Sequence, residues 1–212
     1  MRCSAASPRS WRRHDFSLAA RRRPCFVRSC PAHRPNLYCR RRRKAQAGAI
    51  RSRILWGIGG NLRLKAGDAA TAAKDFDQGL AISGGTTLER GELLLDRARA
   101  AQASGDRATA DARSAEAARL VPGDPFLWYF RATLAVTASD VPRAKIAIAR
   151  ALALAPDDPT ILFESGHVAS LAGEDVAART AWQKALAADP TGPTGQRARE
   201  ALGLADVPLT VK

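Results

Sequence analysis

The residue types best suited to chemistry lie in one short segment near the start of the chain. Residues 21–44, RRRPCFVRSCPAHRPNLYCRRRRK, contain three of the four cysteines and one of the three histidines. Cys25, Cys30, His33 and Cys39 offer three thiolates and an imidazole, a ligand set that zinc accepts. The gaps of four, two and five residues lack the two tight pairs typical of zinc modules. The spacing therefore disfavours a metal site, and we expect no metal and no cofactor.

The same segment is strongly basic. Residues 1–53 hold fifteen arginines, one lysine and one acid, which gives +15, whereas residues 54–212 carry −1. Such a segment suits a basic arm that binds nucleic acid non-specifically, or an organelle transit peptide. The same composition results when high-GC DNA is translated upstream of the true start, and we favour this third interpretation. In each case we expect residues 1–52 to be disordered, because they carry high charge and little apolar surface.

Residues 54–212 offer little catalytic apparatus. They contain no cysteine, and their only histidine, His167, follows Glu164 by three positions. That spacing occurs in di-iron sites, but a second such pair is missing, so we expect a solvated pair on a helix. GIGGNL, which starts at Gly57, lacks the third glycine of a dinucleotide fingerprint and sits within a helical pattern. We therefore predict that the protein is not an enzyme.

The elements that position these residues form a repeat. Gly67, Gly105, Ser139 and Gly173 each precede an acid, and successive spacings are 38, 34 and 34 residues. Each acid is expected to cap a helix start, and Pro122, Pro156 and Pro190 or the pair Gly84 and Gly85 to follow a helix end. The matched positions are the caps Asp68, Asp106, Asp140 and Glu174, the large anchors Trp56, Leu94, Trp128 and Leu162, the small residues Gly60, Ala98, Ala132 and Gly166, and the second-helix alanines Ala72, Ala110, Ala144 and Ala178.

This pattern resembles the tetratricopeptide repeat, a 34-residue helix-turn-helix unit. The resemblance implies an all-α solenoid, a right-handed superhelix of about four units at 53–86, 91–124, 125–158 and 159–192. Residues 193–212 would form a capping helix and tail, with Arg197, Arg199 and Glu200 on its polar outer face. The motifs LWGIGGN and LLDRARA are also similar to small repeat proteins of high-GC bacteria.

The resemblance implies a function as a non-catalytic scaffold that binds a protein or peptide in a concave groove lined by the first helices. The family's two-carboxylate clamp is matched only at Asn61, because Gly57 stands where a lysine is needed, so we do not expect chaperone-tail binding. The alternative is a nucleic-acid-associated protein that uses the basic arm. No apolar run suits a membrane span; the chain reads as cytoplasmic as written, or as exported or periplasmic if its natural N-terminus differs. The predicted groove residues are Asn61, Leu95, Arg99, Gln102, Tyr129, Thr133, Phe163 and His167.

Overall fold

The fold is all-helical over the part of the chain that the structure describes. The structure is a computed structural model that describes the backbone of residues 37–204 and the side chains of residues 52–204. No strand and no helix apolar enough to cross a membrane occurs in these residues. The helices are α1 (Leu37–Lys65), α2 (Ala69–Ala81), α3 (Thr87–Ala103), α4 (Arg107–Leu120), α5 (Pro125–Thr137), α6 (Val141–Leu154), α7 (Pro159–Leu171), α8 (Asp175–Ala188) and α9 (Pro193–Ala201).

Short polar side chains begin the second helix of three helix pairs. The carboxylates of Asp68, Asp106 and Asp140 each accept a hydrogen bond of 3.0 Å from a backbone N–H in the first turn. The equivalent prediction for Glu174 is wrong, because its side chain makes no capping hydrogen bond. Glutamate is longer than the preferred capping residues, and Glu174 instead accepts a hydrogen bond of 2.6 Å from Lys145 Nζ.

The small residue before each acid has a backbone role. Gly67, Gly105 and Gly173 have φ values of 87°, 81° and 75°, in the left-handed region that suits glycine. Ser139 occupies the same position in its unit with φ of 58°, and it is the only non-glycine residue with positive φ in the described range. The turn between paired helices therefore explains why this position recurs as a small residue.

Small residues bring the two helices of a pair into close contact. A Cβ atom on Gly60 would lie 2.5 Å from the Phe76 ring, and one on Gly166 would lie 2.4 Å from the Trp182 ring. The facing alanines of the second helices are buried, as predicted. Ridges of large side chains thus pack against grooves of small ones, as helix pairs at short axial distance require.

The predicted anchors differ between the interior and the start of the array. Leu94, Trp128 and Leu162 are buried, but Trp56 is 38% exposed, so its prediction as a buried anchor is wrong. The interior anchors are covered by helices on both sides of their own helix. Among residues 52–204 no earlier helix pair lies before α1, and Trp56 therefore keeps a face in water.

Consecutive helix pairs share one continuous core. Leu80 packs against the clusters around Phe76 and around Leu94, and Ala118 packs against the clusters around Leu94 and around Trp128. Leu152 continues the series into the cluster around Leu162. These bridging residues stand 38 and 34 positions apart, the same spacing as the turns. The predicted all-α solenoid is confirmed.

Both ends of the array differ from the predictions. The helix α1 begins at Leu37, so residues 37–52, for which we expected no order, are helical. Arginine, lysine, alanine and glutamine are good helix formers, and this local preference outweighs the charge argument. At the other end α9 places Ala198 in the core next to Leu162, as a capping helix should. Arg197, however, lies over the Phe163 ring instead of pointing away from the array.

Candidate functional site

The first helices of the units carry a row of polar and aromatic side chains, which we call the first-helix face. It is built on α1, α3, α5, α7 and the capping helix α9. Its members, in order along the array, are Asn61, Asp96, Arg99, Phe126, Tyr129, Phe163, Glu164, His167 and Arg197.

A hydrogen-bonded cluster forms the beginning of the first-helix face. Asn61 Nδ2 on α1 donates to Asp96 Oδ2 on α3 at 2.7 Å. Arg99 Nη1 donates to Asp96 Oδ1 at 2.9 Å and to Asn61 Oδ1 at 3.4 Å. The cluster holds the Arg99 guanidinium in place while leaving part of it in water. Sequence reasoning predicted Asn61 and Arg99 but missed Asp96, whose position three residues before Arg99 was the available signal.

Two aromatic rings continue the face on α5. The Arg99 guanidinium carbon lies 5.7 Å from the centroid of the exposed Phe126 ring, which is 5.8 Å from the Tyr129 ring centroid. Burial raises the pKa of the Tyr129 phenol above its ordinary value, and the Glu164 carboxylate adds to that effect. The phenol therefore stays protonated and can donate a hydrogen bond. Phe126 was missed, because its place next to the helix-starting Pro125 did not fit the groove spacing.

The last part of the face joins α7 to the capping helix. The Arg197 guanidinium carbon lies 4.2 Å from the centroid of the Phe163 ring, within the range of a cation–π contact. Phe163 also packs against the core cluster that contains Leu162 and Ala198. The capping helix thus contributes the cation Arg197 to the face that contains the predicted residue Phe163. The sequence pattern did not indicate this position for Arg197.

The expectation of a solvated pair at Glu164 and His167 is wrong for its acidic member. Glu164 is 6% exposed, and burial raises the pKa of its carboxyl above the ordinary value, opposed by the charges of His167 and Arg197. His167 Nδ1 lies 3.6 Å from Glu164 Oε1, and the histidine side chain is 45% exposed. Glu164 points inward because α7 is covered by neighbouring helices on both sides. A buried carboxyl therefore underlies a half-exposed imidazole.

Of the three remaining predicted groove residues, one lies in the core and two are half-buried. Leu95 is 5% exposed and belongs to the core cluster around Leu94. The Thr133 hydroxyl donates to the Phe130 carbonyl at 2.8 Å, so its polar group is directed to its own helix. Gln102 is partly buried on the last turn of α3. Leu95 is therefore a core residue, whereas Gln102 and Thr133 are half-buried, as Tyr129 and Phe163 are.

The described residues do not form a cluster suited to a metal ion. No group of three or more His, Cys, Asp or Glu side chains suited to a metal ion occurs among them. Cys25, Cys30 and His33 of the disfavoured zinc site lie outside the described residues, as does the side chain of Cys39. Residues 57–62, which contain GIGGNL, lie within α1.

Comparisons with known proteins support the fold. No known family profile matches the sequence, and no curated protein is detectably similar to it. MamA residues 41 to the end from Desulfovibrio magneticus RS-1 align over 73% of this chain and 87% of that chain, with 16% identity and a TM-score of 0.59. The hetero-tetramer Cut9–Hcn1 of APC/C aligns over 73% of this chain but 32% of that chain, with 19% identity and a TM-score of 0.62.

A third similar structure is BtubC from P. vanneervenii. It aligns over 76% of this chain and 67% of that chain, with 18% identity and a TM-score of 0.58. MamA and Cut9 are tetratricopeptide-repeat proteins, so this chain has a tetratricopeptide-like solenoid fold, as its repeat pattern predicted. At these identities the likeness concerns the fold.

Proposed function

We propose that this protein is a non-catalytic scaffold that binds a segment of a protein or peptide on the first-helix face. The observation that carries the proposal is a row of side chains on five helices, with direct contacts from α1 through α3 to α5 and from α7 to α9. Contacts of 2.7 Å between α1 and α3, 5.7 Å between α3 and α5 and 4.2 Å between α7 and α9 link its side chains. Such a row is longer than a small ligand needs and suits an extended or helical chain.

The chemistry of the face fits a polypeptide partner. Arg99 and Arg197 are cations held by neighbouring groups, and Phe126, Tyr129 and Phe163 provide rings between them. Fixed arginines and aromatic rings are the side chains that most often dominate binding energy at protein interfaces. They offer donors to backbone carbonyls and apolar contact to side chains.

The proposal includes no catalytic step. The face holds one histidine, His167, whose Nδ1 lies 3.6 Å from Glu164 Oε1. In the described part of the chain no serine, cysteine or lysine hydrogen-bonds to this imidazole, so the nucleophile–base pair that covalent catalysis uses has no counterpart there. Similarity in fold to tetratricopeptide-repeat proteins, which are generally binding scaffolds, supports the same proposal.

Binding of selected peptides to variants tests the face. Peptides that bind the full chain are selected from a random library, and their affinities are measured by calorimetry. The double variant Tyr129→Ala and Phe163→Ala should weaken binding roughly 30-fold or more, which corresponds to about 2 kcal/mol for two aromatic anchors. The control carries Ile146→Ala and Leu154→Ala, which remove exposed apolar side chains from α6, and it should bind as the wild type does.

A variant can lose peptide binding because it unfolds or because it lacks the side chains that contact the peptide, and these two causes must be distinguished. Trp128 is buried, donates from Nε1 to the Pro122 carbonyl at 2.8 Å and packs under the Arg150 guanidinium at 4.5 Å. Trp128→Ala should therefore destabilise the fold by roughly 3–5 kcal/mol, whereas the double face variant should melt much closer to the wild type. Wild-type affinity in the double variant, or melting as low as that of Trp128→Ala, would contradict our assignment of the face.

Salt dependence distinguishes the scaffold from the nucleic-acid alternative. The basic residues of that alternative lie largely outside the described residues, and its support is the charge of +15 in residues 1–53. Binding through such an arm should fall steeply as salt increases and be lost when residues 1–50 are removed. Peptide binding on the first-helix face should persist in both conditions.

A further inference from the structure

The first helix exposes an apolar stripe. Ile54, Ile58 and Leu62 follow one another at intervals of four residues, and Leu55 lies beside them. Their exposed fractions lie between 50% and 68%, although such side chains are usually buried in a folded domain. Four large apolar side chains on one helix form a contiguous patch, the kind of surface that marks an interaction site. We call these four residues the α1 stripe.

A cleft of about 440 Å³ runs beside the α1 stripe, between α1 and α3. Gly57 and Leu93 line it, and a Cβ atom on Gly57 would lie 3.4 Å from Leu93 Cδ2, so the two helices are in close contact there. The acidic residues Glu89 and Glu92 also line the cleft from α3, and Lys65 lines it from α1. The surface therefore combines an apolar centre with opposite charges at its margins.

The positions of these charges make the surface complementary to itself. Arg53 pairs with Glu89 at 3.0 Å and Asn61 with Asp96 at 2.7 Å, so α1 and α3 run parallel. Glu92 is therefore level with the beginning of the α1 stripe, whereas Lys65 lies beyond its end. Two copies related by a half-turn, with their stripes antiparallel, would place Lys65 of each copy near Glu92 of the other.

We propose that two copies of this chain associate through the α1 stripe about a two-fold axis. A two-fold contact uses the same patch on both copies, so two copies occupy both patches and no third copy can add. In the described part of the opposite end, α9 covers α7 and α8 with Ala198 fully buried, and no single helix there exposes a row of four large apolar side chains. Pairing of stripe with stripe thus gives a dimer and not a filament.

The size of the stripe indicates that the polar margin takes part. The four side chains expose on the order of 400 Å² of apolar surface, whereas each partner in a stable complex buries roughly 800 Å². The remaining area would come from the walls of the cleft and from the charged residues beside it. A contact of this composition should weaken when salt is raised.

Sedimentation of the full-length chain over a concentration series tests the proposal. The wild type should convert from monomer to dimer as concentration rises. Ile58→Arg with Leu62→Arg should raise the dimer dissociation constant roughly 100-fold or more, because two charges enter the apolar centre. Val176→Arg is the control: Val176 is 82% exposed on α8, and its replacement should leave the dissociation constant unchanged.

Charge exchange gives a second readout that a change in folding would not imitate. Lys65→Glu and Glu92→Lys should each weaken the dimer several-fold, and the double variant should recover much of the loss. A wild type that stays monomeric at every concentration would overturn the proposal, as would stripe variants that dimerise like the wild type. If the protein is monomeric and its melting temperature falls when the stripe is changed, the stripe packs against another segment of the same chain. That result would also overturn the proposal.

Discussion

Two glycines in first helices should respond oppositely to alanine. On α7 a methyl group at Gly166 would lie 2.4 Å from Cδ1 and Nε1 of Trp182 and 3.0 Å from the Ala178 backbone oxygen. The ring cannot easily move away, because Nε1 donates to the Phe163 carbonyl at 3.2 Å. On α1 a methyl group at Gly57 would make an ordinary contact of 3.4 Å with a Leu93 methyl.

The magnitudes follow from two competing effects. Alanine is about 1 kcal/mol more favourable than glycine inside a helix, and overpacking a tight contact costs roughly 1–3 kcal/mol. Gly57→Ala should therefore gain up to about 1 kcal/mol in the free energy of unfolding. Gly166→Ala should lose about 1–2 kcal/mol, because both a fixed ring and a backbone atom obstruct the methyl group.

Urea unfolding and thermal melts of the two variants measure this difference. At about 2–4 °C per kcal/mol for a chain of this size, Gly57→Ala should melt a few degrees above the wild type and Gly166→Ala several degrees below it. If Gly166→Ala melts at or above the wild-type temperature, the close packing of α7 against α8 does not require glycine at position 166. A destabilised Gly57→Ala would show that α1 packs against α3 more tightly than its contacts indicate.

Three further predictions concern the turns, the buried carboxyl and the ends of the array. Ser139→Gly should raise the free energy of unfolding by about 1 kcal/mol, because Ser139 holds a φ of 58° that strains an L residue; an unchanged melting temperature would contradict this. Burial raises the pKa of the Glu164 carboxyl above 4.5, so the folded protein binds this proton more tightly than the unfolded chain does. The stability that the protonated Glu164 contributes is therefore present below pH 4.5 and is lost as pH rises through the raised pKa. Glu164→Gln should accordingly melt increasingly above the wild type as pH rises, and a constant difference would contradict the assignment. Amide exchange should be faster in residues 53–84 than in residues 125–190 at low protein concentration, because Gly57, Gly59 and Gly60 lie close together in α1 near the end of the array; equal protection would show that other contacts compensate.

The sequence by itself determined the architecture. The spacings of 38, 34 and 34 residues, the small residues at the turns, and the prolines or the glycine pair after the helices are local signals present in each unit. A solenoid unit contacts mainly its neighbours, so a pattern repeated along the chain is also a pattern of contacts in space. For this reason the all-α solenoid and the helix-facing alanines were predictable.

The tertiary structure decided which side chains reach the surface. Glu164 and His167 are three residues apart, yet one is buried and the other half-exposed, because helices on both sides of α7 determine what remains open to water. Arg197 was expected to point outward but lies 4.2 Å above the Phe163 ring, 34 positions earlier in the chain. Trp56 fills an anchor position and is nevertheless exposed, because burial requires a preceding helix pair that the described residues do not contain. A periodic pattern indicates which face of a helix is apolar, but only packing between helices fixes what covers that face.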